Sequence, residues 1–153
     1  MSRFSAEVTW KRDGATFTDR RYSRGHIWRF DGGAEVPASA SPHVVPLPYS
    51  IEENIDPEEA YVAALSSCHM LFFLDFASRK KFVVDSYVDS ANGVMEKQDG
   101  KTIVTRVELC PKVTYTGTAP SPKVEVELHH AAHDACFLAN SVKTDISIKL
   151  AQI

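Results

Sequence analysis

Residues 56–81 read DPEEAYVAALSSCHMLFFLDFASRKK, and this stretch decides the fold. It opens as a helix start. Asp56 can accept from free backbone N–H groups, Pro57 suits the first helical position, and Glu58 and Glu59 complement the positive end of the helix dipole. Asp56 and Glu59 also have the spacing of a capping box. Beyond them Tyr61, Leu65, Cys68 and Phe72 share one helical face, and Leu71, Phe73 and Phe76 extend the apolar surface nearly all round. A helix apolar on all sides is buried in a core or between subunits. Arg79, Lys80 and Lys81 suit its C-terminal end.

The flanking segments alternate as strands do. Phe4, Ala6, Val8 and Trp10 point one way and their neighbours the other, Asp13-Gly14 marks a hairpin turn, and further strands are expected near Ala15–Thr18 and His26–Phe30. From Ala34 to Asn54 the chain holds Pro37, Pro42, Pro46 and Pro48 and reads as an ordered loop. After the helix, strands are expected over Val83–Val94, Ile103–Leu109 and Val113–Tyr115, with a second hairpin turn at Asp99-Gly100. A second helix is expected from Ser121 or Pro122 to Ala139, with small residues along one stripe. Val142, Ile146, Ile148 and Leu150 then alternate as a last strand. Hairpin-linked strands with segregated helices predict an α+β fold built on largely antiparallel sheets.

With 153 residues, 44% hydrophobic and 24% charged, the expectation is one globular domain spanning residues 1–153. The net charge is -3 and no block of like charge stands out, which argues against a nucleic-acid partner. The N-terminus has no apolar core of signal-peptide length, and the Leu71–Phe76 run falls short of the ~20 residues that span a bilayer. The expected location is cytoplasmic, with no membrane partner.

The three cysteines do not resemble a secreted disulfide framework. Cys68 lies mid-helix on an apolar face, where a buried structural thiol and a reactive one are both open readings. A reactive Cys68 needs a cation from elsewhere, because burial raises a thiol pKa. Cys136, on the second helix, is equally ambiguous alone. If the two helices pack, and the two Cα atoms come within about 7 Å, a disulfide becomes possible. Cys110 precedes Pro111, out of phase with its strand, and reads as structural. His129, His130 and His133 form a cluster that could hold a metal with Cys136 and His69, against the simpler reading of a solvated helix face. Arg20, Arg21 and Arg24 are the cations that precede the His26 strand.

DPEEAYVAALSSCHM resembles the Asn-Pro-Glu helix start, with its following cysteine, of the OsmC/Ohr family. HHAAHDACFLANSV resembles that family's second helix and second cysteine, and YSRGHIWRFDGG its arginine-bearing N-terminal segment. Asp56 stands where the family usually has Asn, and both residues cap. The resemblance implies an OsmC-like fold, with antiparallel sheets around two long central helices, in an intertwined homodimer with the site at the subunit interface. It implies a thiol peroxidase that prefers organic hydroperoxides over hydrogen peroxide. Cys68 matches the peroxidatic cysteine, Cys136 the resolving one, Arg24 the arginine that stabilises the thiolate, and Glu58 the glutamate that holds that arginine. The cycle then runs through a Cys68 sulfenate and a Cys68–Cys136 disulfide, with an external dithiol (often a lipoylated protein) as reductant. No metal or organic cofactor is expected. The alternative is a non-enzymatic dimer of the same fold that holds a ligand or a metal.

Overall fold

A computed structural model describes residues 1–150; the last residues of the expected 1–153 domain, 151–153, lie outside the described residues. The chain divides into two compact units, Met1–Ala60 and Tyr61–Ile153. In the first unit β1 (Ala6–Thr9), β2 (His26–Phe30) and β3 (Glu35–Ala38) form an antiparallel sheet in that order. The strand expected at Ala15–Thr18 does not form. Asp13, Phe17 and Arg20 all take positive φ, 48°, 71° and 64°, which breaks extended backbone. The segment instead gathers an aromatic cluster, with Trp10, Phe17 and Tyr22 at centroid separations of 4.7–5.8 Å.

The Pro-rich stretch, expected to be loop throughout, supplies β3. Pro37 is tolerated because β3 is an edge strand, where a missing N–H costs no ladder bond. Ile55 then returns to this edge: its N–H donates to Pro37 O at 3.2 Å, and the Ser39 N–H donates to Ile55 O at 3.0 Å. The chain therefore arrives at the helix start already anchored.

Helix α1 spans Pro57–Arg79. Its capping box is reciprocal, with the Glu59 N–H donating to Asp56 Oδ1 at 2.7 Å and the Asp56 N–H donating to Glu59 Oε2 at 3.2 Å. By length and composition alone α1 could cross a membrane. Its packing shows instead the central helix of an α+β core, with Leu65, His69, Phe73 and Ala77 buried.

The second unit continues with β4 (Val83–Asp89), β5 (Asn92–Gln98), β6 (Lys101–Leu109), β7 (Pro111–Thr116), α2 (Pro122–Ala135), a short 3-10 turn at Ala139–Ser141 and β8 (Asp145–Ile148). The strand expected over Val83–Val94 breaks after Asp89. β4 pairs antiparallel with β7, whereas β5 pairs antiparallel with β6 in a different sheet. β8 runs parallel to β6, a pairing that the hairpin pattern did not suggest. α2 stops at Ala135, earlier than expected, because Cys136 leaves the helix at φ -63°, ψ 114°.

Two cores follow from this layout. Phe73 and Ala77 of α1 meet Leu128 and Ala132 of α2, under Val84 and Tyr87 of β4 and Val113 and Tyr115 of β7. Leu65 meets Val107 and Leu109 of β6, with Tyr61, Val62, Val104 and Ile146 alongside. β5 approaches α1 so closely that a Cβ on Gly93 would stand 2.6 Å from Val62 Cγ2. Gly93→Ala is therefore expected to cost about 1–3 kcal/mol through overpacking. Val62→Ala in the same chain should restore most of that loss in urea unfolding.

Candidate redox site

Cys68 and His69 lie on α1 between Leu65, which belongs to one core, and Phe73, which belongs to the other. Cys68 is half-buried and Cys136, the C-cap of α2, is only 1% exposed. Both are free thiols, and they face each other across the helices. Burial pushes the Cys136 pKa up, and hydrogen bonding with the Cys68 thiol pushes it further. The Ala139 N–H, which donates to Cys136 Sγ at 3.4 Å, works the other way. That N–H is available because the chain turns into the 3-10 segment directly after the cysteine. Cys136 is consequently a protonated thiol at neutral pH, held beside a more accessible Cys68.

His69 and His129 are both 1% exposed, and His69 Nε2 lies 3.0 Å from His129 Nδ1. The expectation of a solvated histidine face is thus corrected for His129, which turns inward onto His69 and packs on Phe73 at a centroid distance of 4.2 Å. His130 stays exposed. Among the described residues no group of three or more His, Cys, Asp or Glu side chains is placed to hold a metal ion. Sequence reasoning grouped His69 with the α2 histidines only as possible metal ligands, whereas the structure joins His69 directly to His129, 60 residues away.

Cys110 lies between β6 and β7. Its N–H donates to Asp89 Oδ1 at 2.6 Å, and burial followed by Glu108 raises its thiol pKa. These contacts fit a structural cysteine.

Arg24 and Glu58 belong to the Met1–Ala60 unit. The Arg24 guanidinium lies 3.8 Å from the centroid of the Tyr22 ring, and its Nη1 donates to Arg20 O at 2.8 Å and to Tyr22 O. Its backbone N–H donates to Tyr49 O at 2.8 Å. The following Gly25 allows a close approach, since a Cβ there would meet Ile51 Cδ1 at 2.6 Å. Glu58 sits in the first turn of α1, and among the described residues no ion pair joins it to Arg24. The structure thus joins Cys68 with Cys136 but does not pair the expected arginine with the expected glutamate. Arg24 is fixed instead by backbone carbonyls and an aromatic face, leaving Nε and Nη2 without a hydrogen-bond partner among the described residues.

The chain belongs to the OsmC-like protein family, whose model matches residues 52–151. It is 54% identical to an OsmC-like protein of unknown function from Vibrio cholerae O1 biovar eltor. That match covers 99% of this chain and 100% of the other, with a TM-score of 0.96. The fold is shared with an organic hydroperoxide resistance protein from Elizabethkingia anophelis (17% identity, 98% of this chain and 94% of the other, TM-score 0.71). It is shared also with the organic hydroperoxide resistance protein OhrB of Bacillus subtilis (18% identity, 97% and 98%, TM-score 0.69). Comparison with curated protein sequences finds no match.

Burial holds both core imidazoles neutral. His69 is lowered to about 4 by burial and then by His133, with Asp89 opposing. His129 is lowered to about 3 by burial and then by His69 and His130. In the unfolded chain a histidine titrates near 6.5. Above that value neither state is protonated and no stability is lost. As pH falls from 6.5 toward 4 and 3, the unfolded chain takes up protons that the fold refuses, so stability falls. Urea midpoints should therefore drop across this window by more in the wild type than in a His69→Leu/His129→Leu double variant.

Proposed function

We propose that the protein is a cysteine-based thiol peroxidase that reduces organic hydroperoxides and, less well, hydrogen peroxide. The observation that carries this reading is the meeting of Cys68 with a buried, protonated Cys136 between the two helices of an OsmC-like fold. The names of the Elizabethkingia and Bacillus relatives add the substrate class.

In this reading the Cys68 thiolate attacks the O–O bond. One oxygen stays on sulfur as a sulfenic acid, and the other leaves as alkoxide and is protonated to the alcohol. Cys136 then attacks the sulfenic sulfur, forming the Cys68–Cys136 disulfide and releasing water. An external dithiol, such as a lipoylated protein, reduces the disulfide and becomes a disulfide itself. Arg24, oriented by the Arg20 and Tyr22 carbonyls, offers its uncommitted N–H donors to the thiolate and the departing alkoxide. No cofactor enters these steps.

The protein works as a cytoplasmic homodimer with the site at the subunit interface. Exposed large apolar side chains support self-association: Leu71 at 61% and Phe137 at 73% in the second unit, and Phe4 and Val8 in the first.

The test is mass spectrometry after one equivalent of cumene hydroperoxide. The expected product is a Cys68–Cys136 disulfide, and Cys68→Ser should abolish turnover with a dithiol. Cys136→Ser should drive Cys68 to sulfinic and sulfonic acids. Full turnover by the Cys68→Ser variant would sink the reading.

A further inference from the structure

His69 and His129 have no part in the sulfur chemistry above, yet they occupy the centre of the second unit. Their rings are coplanar to 1° with centroids 5.3 Å apart, and the joined nitrogens are 3.0 Å apart. This is the geometry of an in-plane N–H···N hydrogen bond, with one proton shared between two neutral rings. The two outer nitrogens, His69 Nδ1 and His129 Nε2, are buried and have no partner among the described residues. Each unpartnered buried nitrogen lowers stability, so an apolar pair of similar volume would serve the core at least as well. What the hydrogen bond supplies that an apolar pair lacks is direction: it is satisfied in only one register of α1 on α2.

That register also governs the thiols. His69 directly follows Cys68 on α1. His129, His133 and Cys136 run along one stripe of α2, and Cys136 meets Cys68. The charged and titratable groups facing the pair are His130 and His133 from α2 and Asp89 from β4. Tyr87 of β4, whose buried hydroxyl also lacks a partner, lies 6.4 Å from the His129 ring, centroid to centroid.

We propose that His69 and His129 are positioning residues for the thiol pair: their hydrogen bond fixes α1 against α2 in the register that lets Cys68 and Cys136 close into a disulfide. The proposal rests on the dithiol reading of the site but not on peroxide as the oxidant. Neutrality of both rings supports it, because a pair with both rings protonated has no acceptor left for the bond.

The experiment equilibrates purified full-length protein with reduced and oxidised glutathione at neutral pH, approached from both directions. In this exchange the protein dithiol loses two electrons and two protons and gains one S–S bond. The S–S bond of oxidised glutathione breaks to give two thiols. The fraction closed is read by alkylation and mass spectrometry. His69→Leu/His129→Leu removes both polar partners and leaves no orphan, so the fold is expected to survive. Its closure constant should fall about tenfold, the scale on which coupled contacts act. His129→Asn, which keeps a polar atom near the Nδ1 position, should stay within about twofold of wild type.

Unchanged closure in the leucine pair, or an Asn variant as impaired as the leucine pair, overturns the positioning role. Normal closure by glutathione without hydroperoxide turnover overturns the peroxidase reading and leaves this one standing.

Discussion

The second unit depends on one constraint: α1 is shared by two cores. Leu65 locks its earlier part against Val107 and Leu109, and Phe73 and Ala77 lock its later part against Leu128 and Ala132. A helix pinned in two places can neither slide nor rotate without opening a cavity, and cavities of leucine or phenylalanine size cost several kcal/mol. Cys68 and His69 lie between the two pins. Their directions are therefore set by packing on either side and not by local propensity. Gly93 belongs to the same constraint, because only a residue without a Cβ lets β5 reach α1 at Val62.

What could be read from the sequence was local. The capping box of Asp56 and Glu59, the Pro57 start and the apolar circumference of α1 all lie within a few turns, so they are visible as pattern. So is the hairpin turn at Asp99-Gly100, whereas Asp13-Gly14 turns with the same positive φ but closes no hairpin, since β1 pairs with β2 far beyond it. The expectations that failed depended on distant partners. β3 forms among prolines because β2 and Ile55 flank it. The stretch after α1 splits into β4 and β5 because Asp89 is claimed by Ser66 and by the Cys110 backbone. β8 pairs parallel to β6 because the chain returns through α2 first.

The candidate site divides along the same line. Cys68 and Cys136 were legible as residues on helix faces, and their meeting required only that the helices pack. The Arg24 environment was not legible: its guanidinium is fixed by two carbonyls and the Tyr22 ring, contacts that need three positive-φ residues in the preceding segment. The inward turn of His129 was also hidden, since a histidine among histidines on a helix carries no periodic signal of its own.

The contrast between the two thiols gives the site its direction. A nucleophile must meet substrate, whereas a resolving thiol must meet only the oxidised nucleophile. Cys136 is 1% exposed, held protonated by burial and in contact with the more accessible Cys68, so in the proposed cycle Cys68 is the thiol better placed to meet a peroxide. In that cycle the Ala139 N–H matters at the second step: it donates to Cys136 Sγ and favours the thiolate as that sulfur attacks. A thiol that is hard to ionise at rest, with a donor in place for its charged form, is protected from stray oxidation and still able to resolve. In the proposed cycle the order of the two thiols therefore follows from burial, and exchanging their roles would require opening the end of α2.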